Sequence, residues 1–499
     1  MKFTIPNKII QKVLRLLPWI IIFAGSVARI IVWFQNRNLF IDEANIARNI
    51  YERSLTDLAR PLSYEQYAPP VFLWLTKICA SLFGYSEMVL RLVPLLSGIG
   101  SLVMLFLLLR ELVSNKAIWY PLALMAVSFI MIRYSSELKQ YMTDAFVVLG
   151  LMTLALKTDI LKISSKKFAL VWLLAGSLAI WSSMPAVFAL AGVGCYYFWI
   201  VIRGKAYQKM TPLLFVCVWW LLQFGGYFFL ILKPQADTDY LQKYHSAFFV
   251  FLMPGSKEQI MHNWYLFKDM LRECSGYDTY SWIFNTVLFV LGAVLLLWKN
   301  TARGLLLLVP LVAVFLAAGL HQYSLIGRMT IFAMPVILSV VAYGFYKVIS
   351  IRFWPSQLLI TLFTCQVINH HSLLLPMIKE PYRFETITEE FDLLQQHHIS
   401  GQQLYVHGSA VPAYIYYTEI HPGKARWRTL LGGHHVGWGT NLDSIGQTVQ
   451  PPLAFIYSSL NSEELQRFKE AIGKYFTLDT FIEAEQRRCY VYIYNAHKN

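Results

Sequence analysis

The amino-acid sequence predicts a mainly α protein, a bundle of transmembrane helices that crosses a bilayer many times, with a small α/β domain at its C-terminal end. Three observations carry this expectation. Hydrophobic residues fill 56% of 499 positions and charged residues only 14%, against about 25% charge in a soluble globular chain. The apolar residues gather in runs close to the about 20 residues that a spanning helix needs. From Pro376 to Asn499 those runs give way to alternating helical and β-rich patterns.

Taken in order, the candidate spans centre on Pro18–Phe34, Val89–Leu109, Ala117–Ile132, Thr143–Leu156, Phe168–Ser183 and Ala186–Ile202. Pro212–Leu232, Ser281–Trp298, Gly304–Leu320, Met329–Tyr346 and Phe353–Asn369 follow, about eleven in all. Many Trp and Tyr sit at the ends of these runs, where amphipathic rings favour the headgroup layer. Alternate loops carry the basic residues: the N-terminus, Arg110/Lys116, Lys157 to Lys167, Arg203 to Lys209, Lys299/Arg303 and Lys347/Arg352. The positive-inside rule places those loops in the cytoplasm.

An odd number of spans then leaves three hydrophilic pieces outside, residues 35–87, residues 233–280 and everything after about Pro376. The expected organisation is a transmembrane domain over 1–375 and an extracytoplasmic α/β domain over 376–499, in the inner (plasma) membrane. In that second domain Phe384–His397 and Ser462–Tyr475 read as helices, and Leu404–Val406, Leu453–Tyr457 and Tyr490–Tyr494 as strands. In the first loop, Asp42 to Arg53 has helical composition. The run that Pro69-Pro70 opens, through Phe83, contains Lys77 and is short for a span, so it reads as a helix lying at the outer interface.

The net charge of +14 is scattered in short groups between apolar segments, which marks topology and argues against nucleic acid. Six Cys with no CxxC pair, three of them (Cys195, Cys217, Cys365) inside apolar runs, indicate neither a disulfide framework nor a zinc site. The N-terminal Lys2, Lys8, Lys12 and Arg15 resemble the start of a signal peptide. The apolar run continues past Arg29 to Phe34, so it is read as a retained span. His370-His371, His397-His398 and His434-His435 look like metal pairs, but adjacent strand residues point to opposite faces and no matched acids lie nearby. Gly432 to Gly439 reads as a Gly-rich turn. No fixed-period repeat is visible.

Chemistry is expected in the outer turns. Ile41-Asp42-Glu43-Ala44 follows the first span and puts two carboxylates at the membrane surface. Either takes a proton from an acceptor hydroxyl or amine, or caps the helix that follows, since acids stabilise that end. The two shortest outer turns carry Arg133, Glu137 and Lys139 in one, His321 and Arg328 in the other. Cations there oppose the topology rule. They read either as ligands of an anionic group, Arg being suited to two-pronged phosphate contacts, or as side chains snorkelling to headgroups.

Together these residues resemble the bacterial members of the GT-C superfamily of membrane glycosyltransferases, of the kind related to protein O-mannosyltransferases (glycosyltransferase family 39) and to the lipid A aminoarabinose transferase. The likeness runs in order through Ile41-Asp42-Glu43-Ala44, Tyr67-Ala68-Pro69-Pro70, Gly84-Tyr85-Ser86-Glu87 with Arg91-Leu92-Val93-Pro94, Tyr134 to Tyr141, and Gly327-Arg328 with Pro335. It covers most of the first 380 residues. The resemblance implies a polyprenyl-phosphate-linked sugar donor used on the extracytoplasmic face, with inversion at the anomeric carbon, and a lipid, glycan or protein acceptor. It implies Asp42 as general base with Glu43 beside it, Lys139 and Arg328 on the donor phosphate, and Glu137 as a supporting acid. Arg133 is a third candidate for the phosphate, and Tyr141, Lys77 and Tyr67 are candidate supporting residues. No metal and no cofactor is expected. Protein O-mannosyltransferases have His before the Pro-Pro pair, where this chain has Ala68.

Such a donor needs no nucleotide, and no Gly-rich phosphate loop is present. The competing reading is a transporter or flippase of a lipid-linked glycan, which should carry ionisable residues near mid-span, where the runs show little beyond Arg29. A scaffold without catalysis leaves the charged outer turns unexplained.

Overall fold

The structure is a computed structural model of the chain. It describes residues 7–236, 239–276, 279–350, 362–365, 374–380, 385–437, 440, 445, 451–458, 462–483 and 489–496. Among the described residues, seventeen α-helices precede residue 350. In order they are α1 (Asn7–Phe34), α2 (Ile41–Glu52), α3 (Pro70–Phe83), α4 (Glu87–Leu90), α5 (Leu92–Leu112), α6 (Asn115–Val127), α7 (Phe129–Tyr134), α8 (Tyr141–Lys157) and α9 (Ser165–Ser182). Then come α10 (Ala186–Arg203), α11 (Met210–Tyr227), α12 (Lys233–Ala236), α13 (Asp239–His245), α14 (Lys257–Ser275), α15 (Thr279–Lys299), α16 (Thr301–Gly319) and α17 (Ala333–Ile349).

Ten of the expected spans therefore appear as helices, and Phe353–Asn369 lies almost wholly outside the described residues. Among the described residues six helices are long and apolar enough to cross a membrane: α1, α5, α10, α15, α16, and α11 with its flanking turns. The others fall short for local reasons. The expected span Ala117–Ile132 is cut at Ser128, whose ψ of 116° ends α6 before α7 begins. The helices α8 and α17 have 17 residues each, and α9 opens on Ser165, Lys166 and Lys167. The bundle packs α10 on α16, α5 on α8, α15 on α17 and α1 on α6. At the α15–α17 contact, a Cβ on Gly292 or Gly344 would strike the facing backbone, the small-residue close approach that lipid-embedded helices favour.

Arg29, the one cation expected near mid-span, is fully buried and serves that break. Its Nη1 donates to Gly25 O (2.9 Å) and Ala126 O (3.2 Å), and its Nη2 to Met125 O (3.2 Å). The last carbonyls of a helix have no intrahelical partner, and a guanidinium satisfies those of α6 inside the bundle. Arg29 is a helix cap here, which removes the feature that most favoured a transport path.

The first large loop folds into α2 and α3. Pro70 starts α3 where its missing N–H costs nothing. Its Leu75, Ile78, Leu82 and Phe83 are exposed, as an interfacial helix requires. The C-terminal region adds α18 (Leu374–Lys379), α19 (Ile387–Gln396), α20 (Val411–Ile415, continued as a π turn to Ile420) and α21 (Ser462–Gly473). Its five strands are β1 (Leu404–His407), β2 (His434–Val436), β3 (Leu453–Ser458), β4 (Phe476–Glu483) and β5 (Cys489–Ala496).

The sheet order is β2-β1-β3-β5-β4, with β1 parallel to β2 and β3, and β5 antiparallel to β3 and β4. The three expected strands are β1, β3 and β5. The Gly-rich stretch is partly strand, since His434 and His435 open β2, whereas Trp438 and Gly439 lie outside the described residues, as do His370 and His371. One hydrophobic core joins this domain to the first loop: Leu39, Ile46, Ile50, Phe72 and Leu90 pack with Ile387, Phe391, Tyr414, Tyr416 and Tyr417.

Candidate active site

Asp42 is the second residue of α2, Lys139 lies in the turn from Ser135 to Gln140 between α7 and α8, and Arg328 in the turn between α16 and α17. These three residues, separated by up to 286 positions in sequence, meet. Lys139 Nζ is 3.6 Å and Arg328 Nη1 3.4 Å from Asp42 Oδ2. Gln66 links the group by donating to Asp42 Oδ1 (3.4 Å) and accepting from Lys139 Nζ (2.9 Å). The Arg328 Nη2 group reaches the Tyr244 hydroxyl (3.4 Å) on the second large loop. The buried Arg328 Nε has no partner among the described residues.

Glu43 turns the other way. Both its oxygens bind Arg91, Nε to Oε1 and Nη2 to Oε2 at 2.8 Å each. Oε1 also accepts from Leu138 N (2.7 Å), and Oε2 from Phe40 N (3.3 Å). That last contact caps the start of α2 from Glu43, the half of a capping box that an acid at the third helical position supplies. The helix-capping role that either acid was suited to falls to Glu43, and Asp42 is left facing the cations. Glu137 accepts from Arg133 Nε (2.7 Å) and lies 3.5 Å from Arg37 Nη2. Arg37 Nη2 also donates to Ser136 O (2.7 Å). Gly98 of α5 lets this turn approach, because a Cβ there would collide with the Ser135 hydroxyl.

Burial sets the electrostatics. Desolvation pushes the Asp42 carboxyl up, but Lys139 and Arg328 outweigh it and hold its pKa below the ordinary value. The Lys139 ammonium is lowered, first by burial and then by Arg328, against the pull of Asp42. Two cations share one carboxylate, so the carboxylate is over-stabilised and the lysine under-compensated. Around Asp42 itself two cations, Lys139 and Arg328, face one carboxylate. One positive charge is in excess there, the condition under which an anion is drawn in.

The remaining expected residues divide. Tyr141 lies beside the group, its ring 5.1 Å from that of Tyr134. Tyr67 is hydrogen-bonded through its hydroxyl to Tyr227 of α11. Lys77 stands apart: its Nζ donates to Ile50 O (2.6 Å) and ties α3 to α2. Gln66, Arg37, Arg91 and Tyr244 were not singled out from sequence as site residues. Gln66 adjoins the Tyr67-Ala68-Pro69-Pro70 motif and Arg91 opens a quoted one, so both were within reach. Tyr244 carries no local signal.

Comparison with known proteins bears on this arrangement. A family model described as dolichyl-phosphate-mannose-protein mannosyltransferase matches residues 67–225. An uncharacterized protein of Aquifex aeolicus is 25% identical over 220 residues, a match that spans 42% of this chain and 42% of that relative's length. Among solved structures, ArnT from Cupriavidus metallidurans in the apo state aligns over 95% of this chain and 97% of its own, with 14% identity and a TM-score of 0.54. The same protein bound to undecaprenyl phosphate aligns over 95% and 98%, at 14% and 0.52. The Archaeoglobus fulgidus oligosaccharyltransferase with zinc and sulfate aligns over 95% of this chain and 73% of its own, at 12% and 0.51. The chain has the fold of ArnT and of the oligosaccharyltransferase.

Proposed function

We propose that the chain is a membrane glycosyltransferase that moves a sugar from a polyprenyl-phosphate-linked donor to a lipid, glycan or protein acceptor on the extracytoplasmic face, with inversion. The carrying observation is the trio of Asp42, Lys139 and Arg328, an ionised carboxylate against two cations in a cluster with surplus positive charge. The family match and the undecaprenyl phosphate on ArnT support the donor class. The alternation of basic loops supports the orientation.

In this reading the acceptor oxygen attacks the anomeric carbon while the bond from that carbon to the phosphate oxygen breaks. Asp42 takes the acceptor proton. The bond's electrons leave on polyprenyl phosphate, whose charge rises from one to two and is held by Lys139 and Arg328. A phosphate that occupies both cations relieves Asp42 of the field that depresses its pKa, so donor binding strengthens the base. Glu43, braced by Arg91, accepts from Leu138 N and so holds α2 against the turn that carries Lys139.

The test is direct. Purified chain in bilayers, offered a panel of polyprenyl-phosphate sugars with extracted envelope glycans, lipids and proteins, should release polyprenyl phosphate from one donor class only. Release from none, with the chain folded, would refute the reading.

A further inference from the structure

The strand of backbone that delivers Asp42 is held from two sides. Residues Arg37 to Phe40 lead into α2 without regular secondary structure. On the bundle side, Arg91 takes two of its carbonyls, Nη1 to Arg37 O (2.7 Å) and Nη2 to Asn38 O (3.2 Å). On the other side lies the C-terminal domain. The Tyr417 hydroxyl accepts from Leu39 N (2.9 Å) and donates to Glu87 Oε1 (2.8 Å). Glu87 Oε2 in turn lies 3.1 Å from His421 Nε2. The Asn38 side chain meets Thr388 Oγ1 of α19 (2.9 Å). Tyr417 and Leu39 are both fully buried, so their hydrogen bond has no water to compete with it and is costly to leave unmade.

We propose that Tyr417 is a positioning residue for the catalytic base: by clamping Leu39 N to Glu87, the C-terminal domain sets where Asp42 stands relative to Lys139 and Arg328. The proposal rests on Asp42 as the base. It gives the C-terminal domain a part in turnover, because a loop free to move by about 1 Å at a reacting group costs on the order of a hundredfold in rate. The π turn at Tyr416–Ile420 is the device, a local widening of the helix of the kind that recurs at functional sites. It brings Tyr417 to Leu39 while its neighbour Tyr416 donates to Tyr85 O (2.6 Å) instead.

The full-length variant Tyr417→Phe keeps the ring and deletes the clamp, with Tyr416→Phe as a control of similar burial whose hydroxyl bonds Tyr85 O rather than the backbone that leads into Asp42. Two readouts apply. Amide hydrogen exchange in a peptide covering residues 36–46 should speed up in Tyr417→Phe and not in Tyr416→Phe. Turnover should fall between tenfold and a hundredfold, on the scale of about 1 Å of misplacement, with the donor KM little changed. The acidic limb of the pH profile should rise toward the ordinary carboxylate range as Asp42 drifts from Lys139 and Arg328, the charged groups beside it together with Tyr141 and the Glu43–Arg91 pair. If Tyr417→Phe does not fold, Glu87→Gln, which removes the charge that holds the hydroxyl, should show both changes in smaller measure. Unchanged exchange, unchanged turnover with faster exchange, or equal effects in Tyr416→Phe would each overturn the proposal. Failure of the base itself is read separately, from Asp42→Asn.

Discussion

Glu43 and Arg91 form a two-pronged ion pair, both contacts at 2.8 Å, inside the protein. The residue next to Glu43 in sequence, Asp42, projects into a different group of cations. Consecutive positions at a helix start point in different directions, and here that separates a brace from a reacting group.

Glu43→Gln should therefore act on stability first. A buried charge pair that loses one partner leaves the other uncompensated, at a cost of about 3–5 kcal/mol. Thermal unfolding in detergent should show a much larger drop for Glu43→Gln than for Asp42→Asn. A Glu43→Gln protein as stable as the parent and devoid of transfer would move the base to Glu43.

Lys139→Ala and Arg328→Ala should weaken donor use, since a charge-assisted contact to phosphate contributes about 1.5–3 kcal/mol. Steady-state kinetics with the donor varied should show the loss, with membrane insertion intact. Arg133→Ala should matter less, because Arg133 is committed to Glu137. Equal donor dependence in all three variants and the parent would remove the phosphate assignment.

The pH profile carries the same electrostatics. Desolvation raises Asp42, the two cations lower it further, and the net pKa is below the usual value. A base must be ionised, so activity of the free enzyme should be lost only as pH falls through that depressed value. Lys139→Ala should shift the acidic limb of kcat/KM upward, and a shift downward would contradict the arrangement.

Much of this was legible in the sequence. Apolar runs announced ten helices, and the quoted motifs contain Asp42, Lys139 and Arg328, which meet in the structure. The break at Ser128 was not, because it depends on Arg29 supplying the cap from another helix. The division of labour between Asp42 and Glu43 was also hidden, since composition and spacing treat adjacent acids alike and only Arg91, 48 positions away, tells them apart. The clamp at Tyr417 depends on a π turn with no sequence signature, and it joins what read as two independent domains.

The seat of the C-terminal domain should loosen as pH rises. Burial pushes Glu385 up to about 7 and Glu390 up to about 8, from 4.5. The folded state then binds more protons than the unfolded one between about pH 4.5 and 8, so stability falls with rising pH across that window. Melting curves at pH 5.5 and 8 should show it, and Glu385→Gln with Glu390→Gln should flatten the difference. A stability that rises with pH in the parent would contradict the assignment.

Whether Asp42 removes the acceptor proton, as proposed, is decided by one turnover measurement on purified Asp42→Asn in bilayers. The amide keeps the shape and leaves Lys139 and Arg328 in place for the phosphate, so donor binding should persist and thermal stability should fall less than in Glu43→Gln. Turnover should fall by about 10²–10⁴-fold, the usual worth of a positioned general base. Near-normal turnover in Asp42→Asn would contradict the mechanism.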